Sequence, residues 1–457
     1  TTDNIIIENQ QKIKVKKIKN FKDYITLLKK NKIFVDQNLR ERVILKKIKS
    51  ICKSKNFEEN LNQQLLEEVV NIVEDPNILL INFNKEFLKI PKEIIISTLE
   101  KHQRYFPIFN NKGALTNNFF VVSNKKDEKK LITEGNKRVV EARLSDAKFF
   151  WDKDRSKNLI KQIANLKAVV FYEKLGTIYD KTQRVRQLAG LLSDDLNINK
   201  EKVQIAASIS KSDLCSDLVN EYPELQGVMG KYFALSQGFE EEVANSVSEH
   251  YLPTGITSPL PKKPLSYSIS IVDKIDTLVG FFVVNEKPTS SKDPFALRRA
   301  AIGLLRIIIE NKLIFNLRNL ISYSIRLYED QGVVKKNNKA EEQVLEFIGE
   351  RMRNILKQKN IKMDIIEAAV SSHIGDNFLD LYKKTILMNK HLNKDLGVNA
   401  ISSYKRAANI LNKEDKKISG RPDAVLFRRD EEKLLYEKIN EIRKAFTVKE
   451  SNKDRSE

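Results

Sequence analysis

Between Ser291 and Ile308 the chain carries a helix with two unlike faces, and that segment narrows the folds open to it more than any other. Asp293 is placed to accept from the free N–H groups of a helix N-terminus, and Pro294 suits the first helical position, where a missing N–H costs nothing. Leu297, Ala300, Ala301, Leu304, Leu305 and Ile308 recur at helical spacing as one stripe, while Arg298, Arg299 and Arg306 fall off it. The pattern predicts a helix that buries its stripe in a core and turns its arginines outward as bidentate donors for phosphate. The same spacing returns in Leu65, Leu66, Val69, Val70 and Val73, and again in Val185, Leu188, Ala189 and Leu192, so a mainly helical chain is expected.

A chain of 457 residues, 41% of them hydrophobic, has length for roughly two to four domains with cores of their own. Lysine and arginine total 81 against 61 aspartates and glutamates, a formal charge of +20. Such an excess favours a polyanionic partner through phosphate neutralisation and counterion release. Lys, Ile and Asn are abundant together, as an AT-rich genome produces, and that origin raises the charge without any ligand. Cys52 and Cys215 lie far apart and in no metal spacing, which argues for a reducing compartment over a disulfide scaffold. No apolar run has the length to span a bilayer and no signal-type segment opens the chain, so the expected location is the cytoplasm.

Residues 1–75 read as mainly helical and very basic. Asp75-Pro76-Asn77 breaks that pattern, and three β-type runs follow: Ile78 to Phe83, Tyr105 to Phe109 and Asn118 to Val122. Asn110-Asn111-Lys112-Gly113 supplies a turn between the last two. From about 160 to 325 the pattern is helical, interrupted by a loop from Tyr251 to Pro264. Residues 326–395 read as a charged helical connector with a polar loop at Lys335 to Lys339. After 396 a new helical unit begins, in which Tyr404, Ala407, Ala408 and Leu411 are expected to make an inner face beside Lys405 and Arg406.

Several strings resemble, in order, the beta subunit of the bacterial heterotetrameric glycyl-tRNA synthetase. They are Lys101-His102-Gln103-Arg104-Tyr105-Phe106-Pro107, Gly135-Asn136-Lys137-Arg138-Val139-Val140, Arg143-Leu144-Ser145-Asp146-Ala147-Lys148-Phe149-Phe150 and Lys174-Leu175-Gly176-Thr177. Tyr222 to Gly230, Asp273 to Gly280 with Ser291 to Ala301, and Tyr404 to Leu411 continue the series, and the resemblance covers nearly the whole chain. It implies a multidomain, mainly α fold with an N-terminal α+β part: 1–155 the remainder of a B3/B4-like RNA-binding region, 156–325 an HD-like helical domain, 326–395 the connector, and 396–457 a partial anticodon-binding-like helical domain. Against the family, the chain is expected to lack an N-terminal portion and most of the C-terminal domain.

HD-type phosphohydrolases hold a divalent metal with histidines and aspartates. By the resemblance, Lys181 stands at the first histidine position and Ser212-Asp213 in place of the His-Asp doublet, with Asp273 as the remaining carboxylate. An ammonium and a hydroxyl do not replace two imidazoles as ligands, so Asp213 and Asp273 are expected to be buried hydrogen-bonding or ion-pairing groups and no metal is expected. His250, ahead of a Pro-rich loop, reads as a helix end where an imidazolium complements the dipole. His373-Ile374-Gly375-Asp376 looks like a class I synthetase tetrad, but it sits in the connector with no lysine-serine-lysine loop after it, and chance explains it better. No glycine-rich phosphate loop and no His-Glu-x-x-His is present in the sequence, and Gly227 and Gly230 read as helix punctuation.

What remains is cationic residues interleaved with aromatics. Lys101, His102, Arg104 and Tyr105 form one cluster, Arg143 and Lys148 beside Phe149, Phe150 and Trp151 a second, and Arg298 with Arg299, then Tyr404 with Lys405 and Arg406, complete the set. Such groups neutralise phosphates and stack on unpaired bases. The resemblance implies a tRNA-binding subunit that positions tRNA(Gly) in an alpha2beta2 assembly. The alpha subunit carries the active site and uses ATP and Mg; no catalytic residue, metal or cofactor is assigned to this chain. The alternatives are an HD-type metal-dependent phosphohydrolase and a freestanding RNA-binding scaffold.

Overall fold

A computed structural model of the chain describes residues 4–7, 11–14, 20–289, 292–335, 339–372, 377–392, 394–413 and 422–453. The tetrad at His373 to Asp376 lies outside the described residues. The chain divides into two compact units, Thr1–Ile386 and Leu387–Glu457.

The first unit opens with β1 (Asn4–Ile7) paired antiparallel to β2 (Gln11–Lys14), where the basic composition predicts helix. Ile5, Ile6, Ile7 and Ile13 explain the difference, because β-branched side chains favour a pleated strand over a helix. Helices α1 (Phe21–Lys30), α2 (Gln37–Lys55) and α3 (Gln63–Ile72) follow. Each starts where an Asn or Asp side chain, Asn20, Asp36 or Asn62, accepts from first-turn N–H groups that no carbonyl satisfies.

β3 (Asn77–Asn82), β4 (Phe106–Phe109) and β5 (Leu115–Ser123) then form an antiparallel sheet in the order β3-β5-β4, close to the three runs expected. Asn110 makes the turn, its Oδ1 accepting from the N–H groups of Lys112 and Ala114. The alternation of strand side chains gives the sheet two faces. Phe120 and Val122 join Ile44, Ile48, Leu66 and Val70 of α2 and α3 in one core, whereas Phe119 lies on the opposite side against Phe83 and Tyr105. α4 (Lys92–Ser97) and the long α5 (Leu131–Asp154) complete this part, α5 burying Val140, Leu144, Ala147 and Trp151.

A helical body follows. α6 (Leu159–Asn165), the short strands β6 (Val170–Tyr172) and β7 (Gly176–Thr177), and α7 (Ile178–Asp195) come first, then α8 (Lys200–Ile209), α9 (Asp217–Glu221), α10 (Val228–Ser236) and α11 (Glu241–Glu249). α12 (Pro264–Val283) is its axis and packs against α7, α8, α11, α13 (Leu297–Glu310), α14 (Leu317–Asp330) and α15 (Lys339–Gln358). Buried residues occur all round α12, which is the pattern of a helix enclosed by others. α16 (Met363–Ser372) and α17 (Phe378–Leu392) follow, the boundary between the units falling inside α17.

α13 corrects the expected helix start. Pro294 lies in a turn, and the helix begins at Leu297 after Ala296, whose φ is +54°. Asp293 still caps, reaching forward to accept from Leu297 N at 2.9 Å and Arg298 N at 3.0 Å. The expected stripe is buried at Leu297, Ala301, Leu304, Leu305 and Ile308, with Ala300 at its margin.

The second unit contains α18 (Asp395–Lys413) and α19 (Asp430–Lys453). Tyr404, Ala407 and Leu411 of α18 are exposed in it, Tyr404 at 74%, so the inner face expected there is not covered within the described residues. A second helix alone does not enclose an apolar stripe.

Candidate functional site

Where the HD-type centre is expected, the helical body holds a buried set of charges. α12 supplies Asp273, Lys274, Asp276 and Thr277, α7 supplies Lys181 and Arg184, and the turn after α8 supplies Lys211, Ser212 and Asp213. Lys181 is buried, and its ammonium donates to Thr277 Oγ1 at 2.8 Å, Asp276 Oδ2 at 3.1 Å and the carbonyl of Asp273 at 3.1 Å. Those three acceptors use all its donors. Arg184 forks onto Asp276, Nε to Oδ1 at 2.7 Å and Nη2 to Oδ2 at 3.2 Å, and lies over the ring of Tyr328.

Asp273 Oδ1 lies 3.0 Å from Lys211 Nζ and 3.4 Å from Lys181 Nζ, an ionic contact in which neither N–H is aligned on the oxygen. Burial opposes ionisation of Asp273, but Lys181 and Lys211 outweigh it and hold the carboxyl far below the usual carboxylate range. Lys274 donates to Leu252 O and Ser270 Oγ, both at 2.8 Å, and burial pulls it down to about 7. Asp213 Oδ2 accepts from the N–H groups of Gly227 and Gly230, while burial raises its pKa to about 6. Asp213 is thus a buried hydrogen-bonding group and Asp273 an ion-pairing one. The glycines follow from the same contact: Gly227 has φ +79° at the start of α10, and a Cβ on Gly230 would stand 2.7 Å from Val247 and 3.1 Å from Asp213.

His250 departs from the expected imidazolium. It is buried, its Nδ1 bonds the carbonyl of Val247 at 2.7 Å, and its Nε2 lies 3.0 Å from Lys211 Nζ. Burial first, then the Lys211 charge, push it well below its ordinary pKa, so the ring is neutral and accepts from the lysine. The sequence reading missed Lys211, Lys274, Arg184 and Asp276. The available signal was the facing spacing of 181/184 and 273/276 on two helices, each one turn apart. Among the described residues no group of three His, Cys, Asp or Glu side chains comes together as a metal site.

The basic candidates divide by their partners. Arg104, in the left-handed region at φ +60°, pairs through Nε with Glu68 at 2.7 Å and donates to the carbonyl of Lys101. His102 packs on the ring of Tyr222 and lies 3.5 Å from Glu224, and Tyr105 donates to Asn136 and stacks on Phe119. Lys101 is exposed with no side-chain partner among the described residues. Arg143 lies 3.4 Å from Glu221, and Lys148 pairs with Asp152 one turn along α5. Trp151 is core, stacked on Phe233, while Phe149 is exposed.

Arg298 donates to the carbonyl of Thr289. Arg306, expected to face outward, instead pins a loop, donating to Gly255 O at 2.9 Å and Ser258 O at 3.1 Å. Arg299 is exposed and has no hydrogen bond or ion pair among the described residues. It stands at a cleft of about 730 Å³ whose floor includes Asp273 and Lys274. In the second unit Lys405 and Arg406 are exposed on α18, likewise without side-chain partners among the described residues.

Among the described residues, then, the chain is basic and mainly helical, with lysine ammonium groups in its buried centre and cations without side-chain partners at Lys101, Arg299, Lys405 and Arg406. A family profile described as the glycyl-tRNA synthetase beta subunit matches residues 2–371. The chain belongs to that family. It is 36% identical over 430 residues to a protein of Clostridioides difficile (strain 630) named glycine–tRNA ligase beta subunit, an alignment covering 93% of this chain and 61% of the relative. A Rickettsia canadensis protein of the same name is 36% identical over 93% of this chain and 62% of its own length. One from Rickettsia felis is 35% identical over 96% and 63%. The chain therefore spans somewhat under two thirds of the length of these curated relatives. No helix among the described residues is long and apolar enough to cross a membrane.

Proposed function

We propose that this chain serves as the tRNA-binding beta subunit of a glycine–tRNA ligase, holding tRNA(Gly) while an alpha subunit, using ATP and Mg, forms the adenylate and transfers glycine. The family profile over residues 2–371 carries this reading. Its physical contribution is position. Fixing the RNA end beside an activated amino acid converts an encounter into an intramolecular reaction, a large rate gain that needs no acid or base from this chain. On this reading the helical body is an HD-like domain that has exchanged metal for ammonium, and the second unit begins an anticodon-binding domain.

Lys181 and Lys211 speak against the phosphohydrolase alternative. They bring positive charge to the carboxylate a divalent ion would need, and an ammonium and a hydroxyl, Lys181 and Ser212, stand where the resemblance places imidazole ligands. The test is glycylation of tRNA by the cognate alpha subunit with and without this chain. Charging is expected to rise well above the alpha-only background. No rise, together with no association with alpha by sedimentation, sinks the synthetase reading in favour of a freestanding RNA-binding scaffold.

A further inference from the structure

The cleft beside the buried centre has the lining of a ligand site. Its walls are Tyr251, Leu252 and Pro253 from the loop after α11, Phe295 and Arg299 from the start of α13, and Lys274 at its floor. At about 730 Å³ it falls within the ordinary range of small-molecule sites. Its walls are fixed: Phe295 stacks on Phe281 with ring centroids 4.0 Å apart, and the ring of Tyr251 packs against both the Lys211 ammonium and the His250 ring.

The polar groups are unevenly committed. Both carboxylates on the lining are engaged elsewhere, Asp273 by Lys181 and Lys211, Glu224 by Ser97 and His102. Two donors are not. The Arg299 guanidinium has no partner among the described residues, and the Tyr251 hydroxyl, on a half-buried side chain, has no acceptor there. Lys274 has its donors on Leu252 and Ser270 and offers the cleft no spare one. Spare donors above neutralised carboxylates select an anion, and a guanidinium fork suits phosphate. Apolar and aromatic walls on either side select a flat, weakly polar body attached to it.

We infer that this cleft takes one nucleotide unit, its phosphate on Arg299 and Tyr251 and its base against Phe295, Leu252 and Pro253. Two sources share that chemistry, a free mononucleotide and an unpaired nucleotide at the end of an RNA strand. Only the second rests on the proposed function.

The test uses the full chain with AMP, adenosine and inorganic phosphate in calorimetric titrations. Two labelled RNA hairpins, one with a four-nucleotide 3′ overhang and one blunt, serve as competitors. AMP is expected to bind about tenfold or more tightly than adenosine or phosphate, and Arg299→Ala to weaken it about tenfold with an unchanged melting midpoint. Tyr251→Phe should cost a few-fold. Displacement of AMP by the overhang hairpin but not by the blunt one assigns the cleft to RNA; no displacement by either assigns it to a free nucleotide. Thr254→Trp, which places bulk on the exposed rim without touching the core, tests the same cleft if Arg299→Ala does not fold. The proposal is overturned if AMP does not bind and both hairpins bind wild type and variants alike. RNA binding that is indifferent to overhang and variant leaves the subunit reading intact while removing the cleft from it, and absence of glycylation with alpha removes that reading without altering the AMP result.

Discussion

Lys211 touches both Asp273 and His250, so one ammonium satisfies a buried carboxylate and a buried imidazole at once. Lys211→Met leaves Asp273 with Lys181 alone and takes the donor from His250 Nε2. A loss of about 2 kcal/mol is expected, below the range for breaking an isolated buried pair because the second lysine stays. A fall in the urea midpoint at constant slope measures it, and an unchanged midpoint would show that Lys181 suffices. Asp213 carries a pH signature. Burial raises it from 3.8 to about 6, so between those pH values the unfolded chain releases a proton that the folded chain keeps. Stability from this group is therefore full below pH 3.8 and lost as pH rises through about 6, a penalty of about 3 kcal/mol at neutrality. Asp213→Asn should gain relative to wild type across that window, read as the difference between the two denaturation midpoints from pH 4 to 7. At this scale the sequence showed the carboxylates but not their partners. The resemblance put Lys181 in the centre, but a lysine in a string otherwise reads as solvated, and only packing of α8 and α12 reveals that Lys211 and Lys274 are inside.

At the scale of elements, α12 holds the charges in register because its neighbours approach closely. A Cβ on Gly280 would collide with the hydroxyl of Tyr328, which donates to the carbonyl and to Oδ2 of Asp276. Gly280→Ala is therefore expected to destabilise by about 2 kcal/mol despite the better helix propensity of alanine, because the ring must shift and release Asp276. A rise in melting temperature instead would mean that α14 yields freely. Helix was expected over α12, but not its enclosure by other helices on every side. Periodicity finds a helix by the contrast between its faces, as in α3, α7 and α13, whereas a helix buried all round has no polar face to set the period. The sheet was legible because β-branched and aromatic runs flank an Asn-rich turn. The shift of the α13 start from Pro294 to Leu297 was not, since Asp293 caps as well from one turn away as from the adjacent position.

For the whole molecule, a formal charge of +20 counts every cation alike, but an RNA phosphate does not. A lysine or arginine already held by a carboxylate must give up that partner to bind phosphate, and neutralising a charge that was neutralised before releases few counterions. Arg104 on Glu68 and Lys148 on Asp152 are cations of this kind, whereas Lys101, Arg299, Lys405 and Arg406 have no side-chain partner among the described residues. On the proposed function, the dependence of tRNA affinity on salt should sort the two groups. Each phosphate contact contributes about −0.9 to the slope of log K against log salt. Arg299→Ala, and Lys405→Ala with Arg406→Ala, should each flatten that slope, the single change by about one unit and the pair by up to about two. Arg104→Ala should leave the slope unchanged and cost under about 1 kcal/mol of stability, as fits a pair half open to solvent. Filter binding across a salt series measures all three. A flatter slope for Arg104→Ala would mean that Glu68 releases the arginine to RNA, and an unchanged slope for Arg299→Ala would place the phosphate path on another face.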